Sequence, residues 1–381
     1  MNISKATDQC VMCGMCLPHC PTYQISQHEA ESPRGRISLI KAYSEKNLPP
    51  SEALQSHLYS CTTCLKCEQV CPANVHYENI IDYGRRLYRT ELGLFKRIQQ
   101  FVAISMLSTK LGHKVITFAK TISRILPSNI KVVQVLKLAN MRASHSIQES
   151  HKNRMTVLPG CTGNIFDLQT LESVTKVLAA LDYDTVFPDG ILCCGALAQH
   201  SGLSNIADSQ IQATNDFFRT NNVKEYISFA SGCGRQYNNE FSKSDIKHYD
   251  IVNWLVKHQH IHQLKINPLS AHVLIHTPCT VDQYNIGLCE QLLDFIPDIY
   301  VSQFNDGLSC CGAGGAQLLF PQDSNQKLLD AKINTIESMQ PDIIVSSNIG
   351  CAMQLKLGLA KADLDIEVIH PVTLLSRQLN Q

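Results

Sequence analysis

The spacing of apolar positions divides the 381-residue chain into stretches with different periods. Between residues 95 and 154, Ile104, Leu107, Leu111, Val115, Phe118, Ile122 and Ile125 recur at steps of three and four, which predicts one amphipathic helical stripe. Lys110, Lys114, Lys120 and Arg124 lie off that stripe. Pro127-Ser128-Asn129 ends the helix, and residues 144–153 read as a polar linker. Beyond it the pattern shortens. The β-rich runs Val157-Leu158, Tyr226-Ile227-Ser228-Phe229, Val273-Leu274-Ile275 and Ile343-Ile344-Val345 each lead into a small-residue turn. Helical patterns, such as 168–181 and 326–338, alternate with them, and β alternating with α predicts a parallel sheet. Before residue 95 the clearest periodic stretch is a helical one at 37–43. No apolar run reaches the ~18–20 residues of a membrane span.

Composition adds little to this outline. The chain is 44% hydrophobic and 17% charged, ordinary for a globular protein with a sizeable core and about two or three domains. Charge changes the picture more. Residues 1–95 carry nine basic and nine acidic side chains, residues 96–155 eleven and one, and residues 156–381 thirteen and twenty-three. The middle stretch is therefore a basic amphipathic segment. Such a helix can rest on an anionic membrane surface, or pack on its own protein or an acidic partner subunit. The first ten residues hold no apolar h-region, so a cytoplasmic protein is expected, with a peripheral position on the inner face of the membrane as the variant. In that reducing compartment seventeen cysteines, an odd number, read as metal ligands or catalytic groups and not as disulfides.

Eight of those cysteines form two identical strings. Cys10-x2-Cys13-x2-Cys16-x3-Cys20-Pro21 recurs as Cys61-x2-Cys64-x2-Cys67-x3-Cys71-Pro72, offset by 51 residues. Three cysteines two apart wrap three corners of an iron–sulfur cube, and the fourth, before proline, ligates the other cluster. The spacing thus assigns Cys10, Cys13, Cys16 and Cys71 to one [4Fe–4S] cluster, and Cys61, Cys64, Cys67 and Cys20 to a second. Tetrahedral zinc has no use for the third x2 cysteine or for the x3-Cys-Pro step. Between the strings, Ser32-Pro33-Arg34-Gly35-Arg36 offers two cations that either offset cluster charge or form a solvated turn.

A second repeat follows. Cys161, Cys193-Cys194-Gly195 and Cys233 recur as Cys279, Cys310-Cys311-Gly312 and Cys351, at offsets of 118, 117, 117 and 118. These cysteines fall at the carboxyl ends of the predicted strands, where open α/β sheets place their sites. An additional Fe–S cluster, a thiol redox site and structural burial are all open for them. Cys289 alone is left over, and reads as a buried small hydrophobe. The expected fold is α+β then α/β: a two-cluster ferredoxin-like helical domain (1–95), the basic helical segment (96–154), and two Rossmann-like parallel-sheet halves (155–265 and 266–381) facing each other across a pseudo-twofold axis.

The residues also resemble a known family, the iron–sulfur subunit of glycolate oxidase (glycolate dehydrogenase). It belongs to the wider group of CCG-domain proteins, which includes lactate-utilisation proteins and the CCG-bearing subunits of anaerobic glycerol-3-phosphate dehydrogenase and of heterodisulfide reductase. The resemblance spans essentially the whole chain. It rests on both cysteine strings, Thr22-Tyr23, Pro33-Arg34-Gly35-Arg36, both Cys-Cys-Gly motifs, Ser231-Gly232-Cys233 and Asn348-Ile349-Gly350-Cys351. It implies a separate FAD subunit that oxidises a 2-hydroxy acid such as glycolate or D-lactate, with this chain carrying electrons onward to membrane quinone. No flavin or nicotinamide fingerprint is present, since Gly312-x-Gly314-Gly315 lacks the spacing, so no FAD is expected here. Nucleic acid is not an expected partner. Heterodisulfide reductase ends each CCG motif in CxxC, whereas this chain has Gln236 and Gln354 at those positions. This departure counts against five-thiolate non-cubane clusters, and four cysteines per copy leave room for one cluster each or for a single shared site. His276, three residues before Cys279, is either an extra ligand, a proton relay or a satisfied core histidine. A self-contained thiol or disulfide reductase acting through Cys194 and Cys311 is the competing reading from another class.

Overall fold

Ser32 and Pro33 start the first long helix. Ser32 Oγ accepts the Gly35 N–H at 3.0 Å, and Pro33 sits in the first turn, where its missing N–H costs nothing. The computed structural model describes residues 3–123, 131–138, 153–242, 244–305, 307–308 and 310–380. The Pro33–Ser44 helix packs with Glu52–Ser60 and Tyr77–Tyr88 around Ile40, Leu54, Leu58, Ile80 and Ile81, all buried. This small helical core holds the two cysteine loops side by side. Arg36 is fully buried in the helix's first turn, which corrects the solvated-turn alternative for that residue.

The middle segment forms the helices Leu94–Ser108, Lys110–Ser123 and Lys131–Leu138. The single stripe expected from the sequence is broken at Thr109. That residue is extended (φ −125°), and its Oγ1 accepts the Gly112 N–H at 3.1 Å, capping a new helix. The break resets the helical phase. Ile104 and Leu107 turn inward, while Leu111, Val115, Phe118 and Ile122 face outward. Arg124, Ile125, the Pro127-Ser128-Asn129 breaker and residues 144–152 lie outside the described residues. Asn153, read as the end of the linker, instead opens a strand.

Two four-stranded parallel sheets follow. Strands β1 (Asn153–Leu158), β2 (Tyr183–Val186), β3 (Glu225–Ser228) and β4 (Lys247–Asp250) lie in the order β2-β1-β3-β4. Strands β5 (His272–His276), β6 (Tyr300–Gln303), β7 (Ile343–Ser346) and β8 (Glu367–Ile369) repeat it as β6-β5-β7-β8. The two Rossmann-like halves share one core, in which Val157 and Ile227 meet Val273, Val345 and Ile369. Their matching turns touch: Ser231 N–H donates to the Ser347 carbonyl at 3.0 Å, and Ser231 Oγ lies 2.7 Å from Thr280 Oγ1. Both sheets thereby aim their carboxyl ends at one region.

His370 caps the Pro371–Gln378 helix that closes this core. Its Nδ1 accepts the Val372 N–H at 3.1 Å, and burial lowers its pKa to about 3. A folded value below the unfolded one means that its stabilisation is complete above pH ~6.5 and is lost as pH falls toward 3. By pH 5 the loss is about 2 kcal/mol. His370→Asn keeps a capping acceptor that does not titrate, so its urea midpoint is expected to fall less than that of the native protein between pH 7 and pH 5. Equal falls would contradict a neutral buried imidazole.

Candidate metal centres

All seventeen cysteines are free thiols. Cys10, Cys13, Cys16 and Cys71 line one cavity, together with Cys67, Arg34, Ile37 and Tyr77. Cys20, Cys61, Cys64 and Cys67 line a second, with Arg36, Thr22 and Tyr77. The second cavity thus draws three thiols from one loop and a fourth from the other, while the first draws three from the Cys10 loop and two, Cys71 and the shared Cys67, from the Cys61 loop. The first is near the surface, with Cys13 exposed, whereas the four thiols of the second are buried. Thr63 N–H points at Cys61 Sγ (3.4 Å), Val75 N–H at Cys71 Sγ (3.5 Å), and the Tyr77 hydroxyl at Cys61 Sγ (3.6 Å). Burial, with Cys310 and Cys20 nearby, pushes the Cys64 thiol up to about 12. Sulfur donors gathered from both loops around one void fit a thiolate-bound iron–sulfur group.

Arg36 stands beside the second cavity with every N–H engaged. Nε donates to the His57 carbonyl (2.6 Å), Nη1 to Thr22 Oγ1 (3.0 Å) and the Glu31 carbonyl (2.5 Å), and Nη2 to Glu31 Oε2 (2.5 Å) and Ser60 Oγ (2.9 Å). Burial alone would lower its pKa, yet Cys61, Tyr77, Cys20 and Glu31 together hold it above the ordinary arginine value. Glu31 is itself buried and also accepts from Ser60 Oγ (2.6 Å) and lies 2.6 Å from His57 Nδ1. At the outer cavity Arg34 pairs with Glu29 (2.7 Å) and donates to the Met12 carbonyl (2.8 Å).

The eight remaining sequence-predicted cysteines gather in two quartets at the carboxyl ends of the strands. In the first, Cys161 lies in the Gly160–Phe166 helix after β1, Cys193 and Cys194 in the loop after β2, and Cys233 in the Ser231–Phe241 helix after β3. Cys193 Sγ is 3.4 Å from Cys161 Sγ. Cys194, accepting from Cys193 and Cys233, is held well below the ordinary thiol value. The second quartet gathers Cys279, Cys310, Cys311 and Cys351 at the matching places, but there the first of the pair, Cys310, accepts from Cys279 and Cys311 and is held well below the ordinary thiol value. Gly195 and Gly312 follow the paired cysteines at φ +79° and +83°, which is why the motif ends in glycine. Both quartets line one cavity of about 220 Å³, walled by apolar side chains that include Leu107, Phe166, Leu318 and Met353. Gln236 and Gln354 are buried nearby.

The second copy also brings a histidine to its thiols. His276 Nδ1 is 3.1 Å from Ser346 Oγ, and the ring brings a nitrogen within 4.8 Å of the Cys311 and Cys351 thiols. Leu158 stands at the matching place in the first copy. Cys289 is half-buried against the shared core.

The N-terminal module leans on both copies. Arg85 donates to the Leu58 carbonyl (3.0 Å), the Cys61 carbonyl (2.5 Å) and the His200 carbonyl (3.0 Å), and His200 Nδ1 lies 3.0 Å from Asp82. Burial alone would lower the His200 pKa, but Asp82 and Glu78 raise it. On the other side the Gln317 side chain donates to the Tyr59 carbonyl, and Gly314 lies flat on the Thr62 carbonyl. Cys64 thereby approaches Cys310 and Cys279 closely enough for their charges to interact. Sequence reasoning did not foresee this junction. Its only sequence signal is the glycine density of Gly312-Ala313-Gly314-Gly315.

A helical module with two interleaved cysteine loops, joined to a duplicated parallel-sheet domain with paired-cysteine motifs, defines an iron–sulfur protein. Residues 6–75 match the family described as "4Fe-4S dicluster domain", and residues 155–237 and 273–356 match "Cysteine-rich domain". The chain belongs to the CCG-domain iron–sulfur proteins. It is 27% identical to "Probable glycolate oxidase iron-sulfur subunit" of Bacillus subtilis strain 168, over 96% of this chain and 92% of that one. It is 29% identical to "Glycolate oxidase iron-sulfur subunit" of Escherichia coli strain K12, over 91% and 89%. "Lactate utilization protein A 2" of Bacillus cereus is 24% identical, over 58% of this chain and 97% of its own length.

Proposed function

We propose that this chain is the electron-transfer subunit of a flavin-dependent 2-hydroxy-acid dehydrogenase, acting on glycolate or D-lactate. It holds two [4Fe–4S] clusters, one on Cys10, Cys13, Cys16 and Cys71 and one on Cys61, Cys64, Cys67 and Cys20. Bound there, the clusters supply single-electron steps, and the hydride chemistry belongs to a partner FAD subunit. The observation that carries this reading is the continuity of thiol sites. The outer cavity shares Cys67 and Tyr77 with the inner one, and Thr62 and Thr63, between Cys61 and Cys64 of the inner one, line the cavity of the paired cysteines. Electrons from the flavin are directed along this line toward the paired-cysteine cavity and then to membrane quinone. The chain's own residues keep water from the inner thiols and hold a permanent positive charge, Arg36, against them. The glycolate oxidase names of two long-range relatives support the substrate class.

Purification of the tagged chain from its own cells without oxygen tests the reading. A co-purifying flavoprotein is expected, and adding glycolate or D-lactate to the complex should bleach the flavin and the broad iron–sulfur absorbance together. Disulfide reduction by the isolated chain, with no flavoprotein retained, would favour the reductase reading instead.

A further inference from the structure

Among the described residues, fifteen large hydrophobic side chains are exposed, and nine of them lie on just two helices. On Leu94–Ser108 these are Leu94, Phe95, Ile98, Phe101 and Val102, and on Lys110–Ser123 they are Leu111, Val115, Phe118 and Ile122. Each set recurs at steps of three and four, so each forms one face of its helix. Leu94, Phe95, Leu111 and Phe118 are 70%, 79%, 72% and 69% exposed, far beyond incidental surface apolar groups. The opposite faces are already used. Gln100, Ile104 and Leu107 are buried in the first helix, and Gly112, Ile116 and Ser123 in the second.

The charge of this hairpin selects its occupant. Residues 94–123 contain Lys96, Arg97, Lys110, Lys114 and Lys120 and no acidic residue. Lys96, Lys110 and Lys114 are exposed. Lys110 and Lys114 follow the apolar stripe along one side. An apolar face edged by cations, without any anion, complements a surface that is oily within and negative at its rim. Neither helix is long and apolar enough to cross a membrane, so the pair lies along the interface. We propose that the Leu94–Ser108 and Lys110–Ser123 helices seat the protein on an anionic phospholipid bilayer, with Phe95, Phe101, Leu111 and Phe118 entering the acyl boundary.

This seating has a consequence for the paired-cysteine cavity. Leu107, on the inward face of the first helix, is part of that cavity's wall. The quartets therefore lie about one helix diameter, ~10–12 Å, from the lipid. The side of the molecule where the line of thiols ends is then the side that meets the membrane. The inference goes beyond the proposed function and holds whichever acid the partner oxidises.

Flotation of the full chain, reconstituted anaerobically with iron and sulfide, tests it. Vesicles of phosphatidylcholine with about one third phosphatidylglycerol should carry the protein up the gradient, and pure phosphatidylcholine should not. The triple substitution Lys96→Gln, Lys110→Gln, Lys114→Gln should weaken binding about a hundredfold at low salt. Phe95→Ser and Phe118→Ser should each weaken it about tenfold at any salt. Unchanged iron content certifies that each variant is folded. In Phe118→Trp, the added indole emission should shift to the blue on anionic vesicles. Absent flotation, or loss of the flavoprotein from the Phe95→Ser and Phe118→Ser proteins without any lipid binding in the native chain, would overturn the proposal and give the face to a protein partner.

Discussion

Arg36→Met is expected to destabilise the N-terminal module by about 3–5 kcal/mol. The guanidinium is fully buried and spends all five N–H groups on His57, Thr22, Glu31 and Ser60. Methionine matches the volume but leaves the buried Glu31 carboxylate without its cation, with only Ser60 and His57 beside it. It also removes the arginine donor from four carbonyl or hydroxyl acceptors, the His57 and Glu31 carbonyls and the Thr22 and Ser60 hydroxyls. Lysine keeps the charge as a point donor and cannot reach acceptors fanned around a planar fork, so Arg36→Lys should recover only part of the loss. The same change removes a positive charge next to Cys20 and Cys61. In whatever fraction of Arg36→Met retains its iron, the inner cluster should reduce at a more negative potential while the outer one is nearly unmoved. Unfolding midpoints and an anaerobic redox titration read the two effects separately. An unshifted midpoint would show that the five hydrogen bonds are not made.

Gly314→Ala carries the other large effect. A Cβ there would stand 1.8 Å from the Thr62 carbonyl oxygen, a backbone atom that cannot swing aside. Either the loop after Cys310-Cys311-Gly312 lifts off the Cys61–Cys64 turn, or the turn is displaced. The cost is about 3 kcal/mol. Amide exchange at Thr62, Thr63 and Cys64 should accelerate, and the unfolding midpoint should drop. Gly93, with open space where a Cβ would go, serves as the control, and Gly93→Ala should change neither quantity. Unchanged exchange in Gly314→Ala would mean that the two thiol systems are not in contact.

Much of this architecture is legible in the sequence because cysteine spacing and strand periodicity are local signals. The x2-x2-x3-Cys-Pro strings, repeated at one offset, mark the two loops, and the offsets of 117 and 118 mark the duplicated sheets. The alternating runs near Val157, Tyr226, Val273 and Ile343 each become a parallel strand. Other features depend on contacts between distant residues, and no period reports those. Pro33-Arg34-Gly35-Arg36 is polar in composition, yet it is a helix start whose second arginine is enclosed by groups from residues 22, 31, 57 and 60. The break at Thr109 is invisible because steps of three and four continue across it by coincidence. Only the folded chain separates Leu107, turned inward, from Leu111, turned outward. The approach of Gly314 to the Thr62 carbonyl joins positions 252 residues apart, a contact no local pattern encodes.

The crossing of the two N-terminal loops is tested most directly by a single spectroscopic comparison. Cys20→Ser, Cys10→Ser and Cys61→Ser proteins are reconstituted anaerobically and reduced, and their magnetic-resonance spectra are compared with that of the native chain, which should hold at least about eight irons. Cys20 lies in the string of Cys10, but it lines the cavity of Cys61. The predicted result is that Cys20→Ser alters the same signal as Cys61→Ser and leaves intact the one lost in Cys10→Ser. A Cys20→Ser spectrum that matches Cys10→Ser, or a native chain loaded with zinc in place of iron, would contradict it.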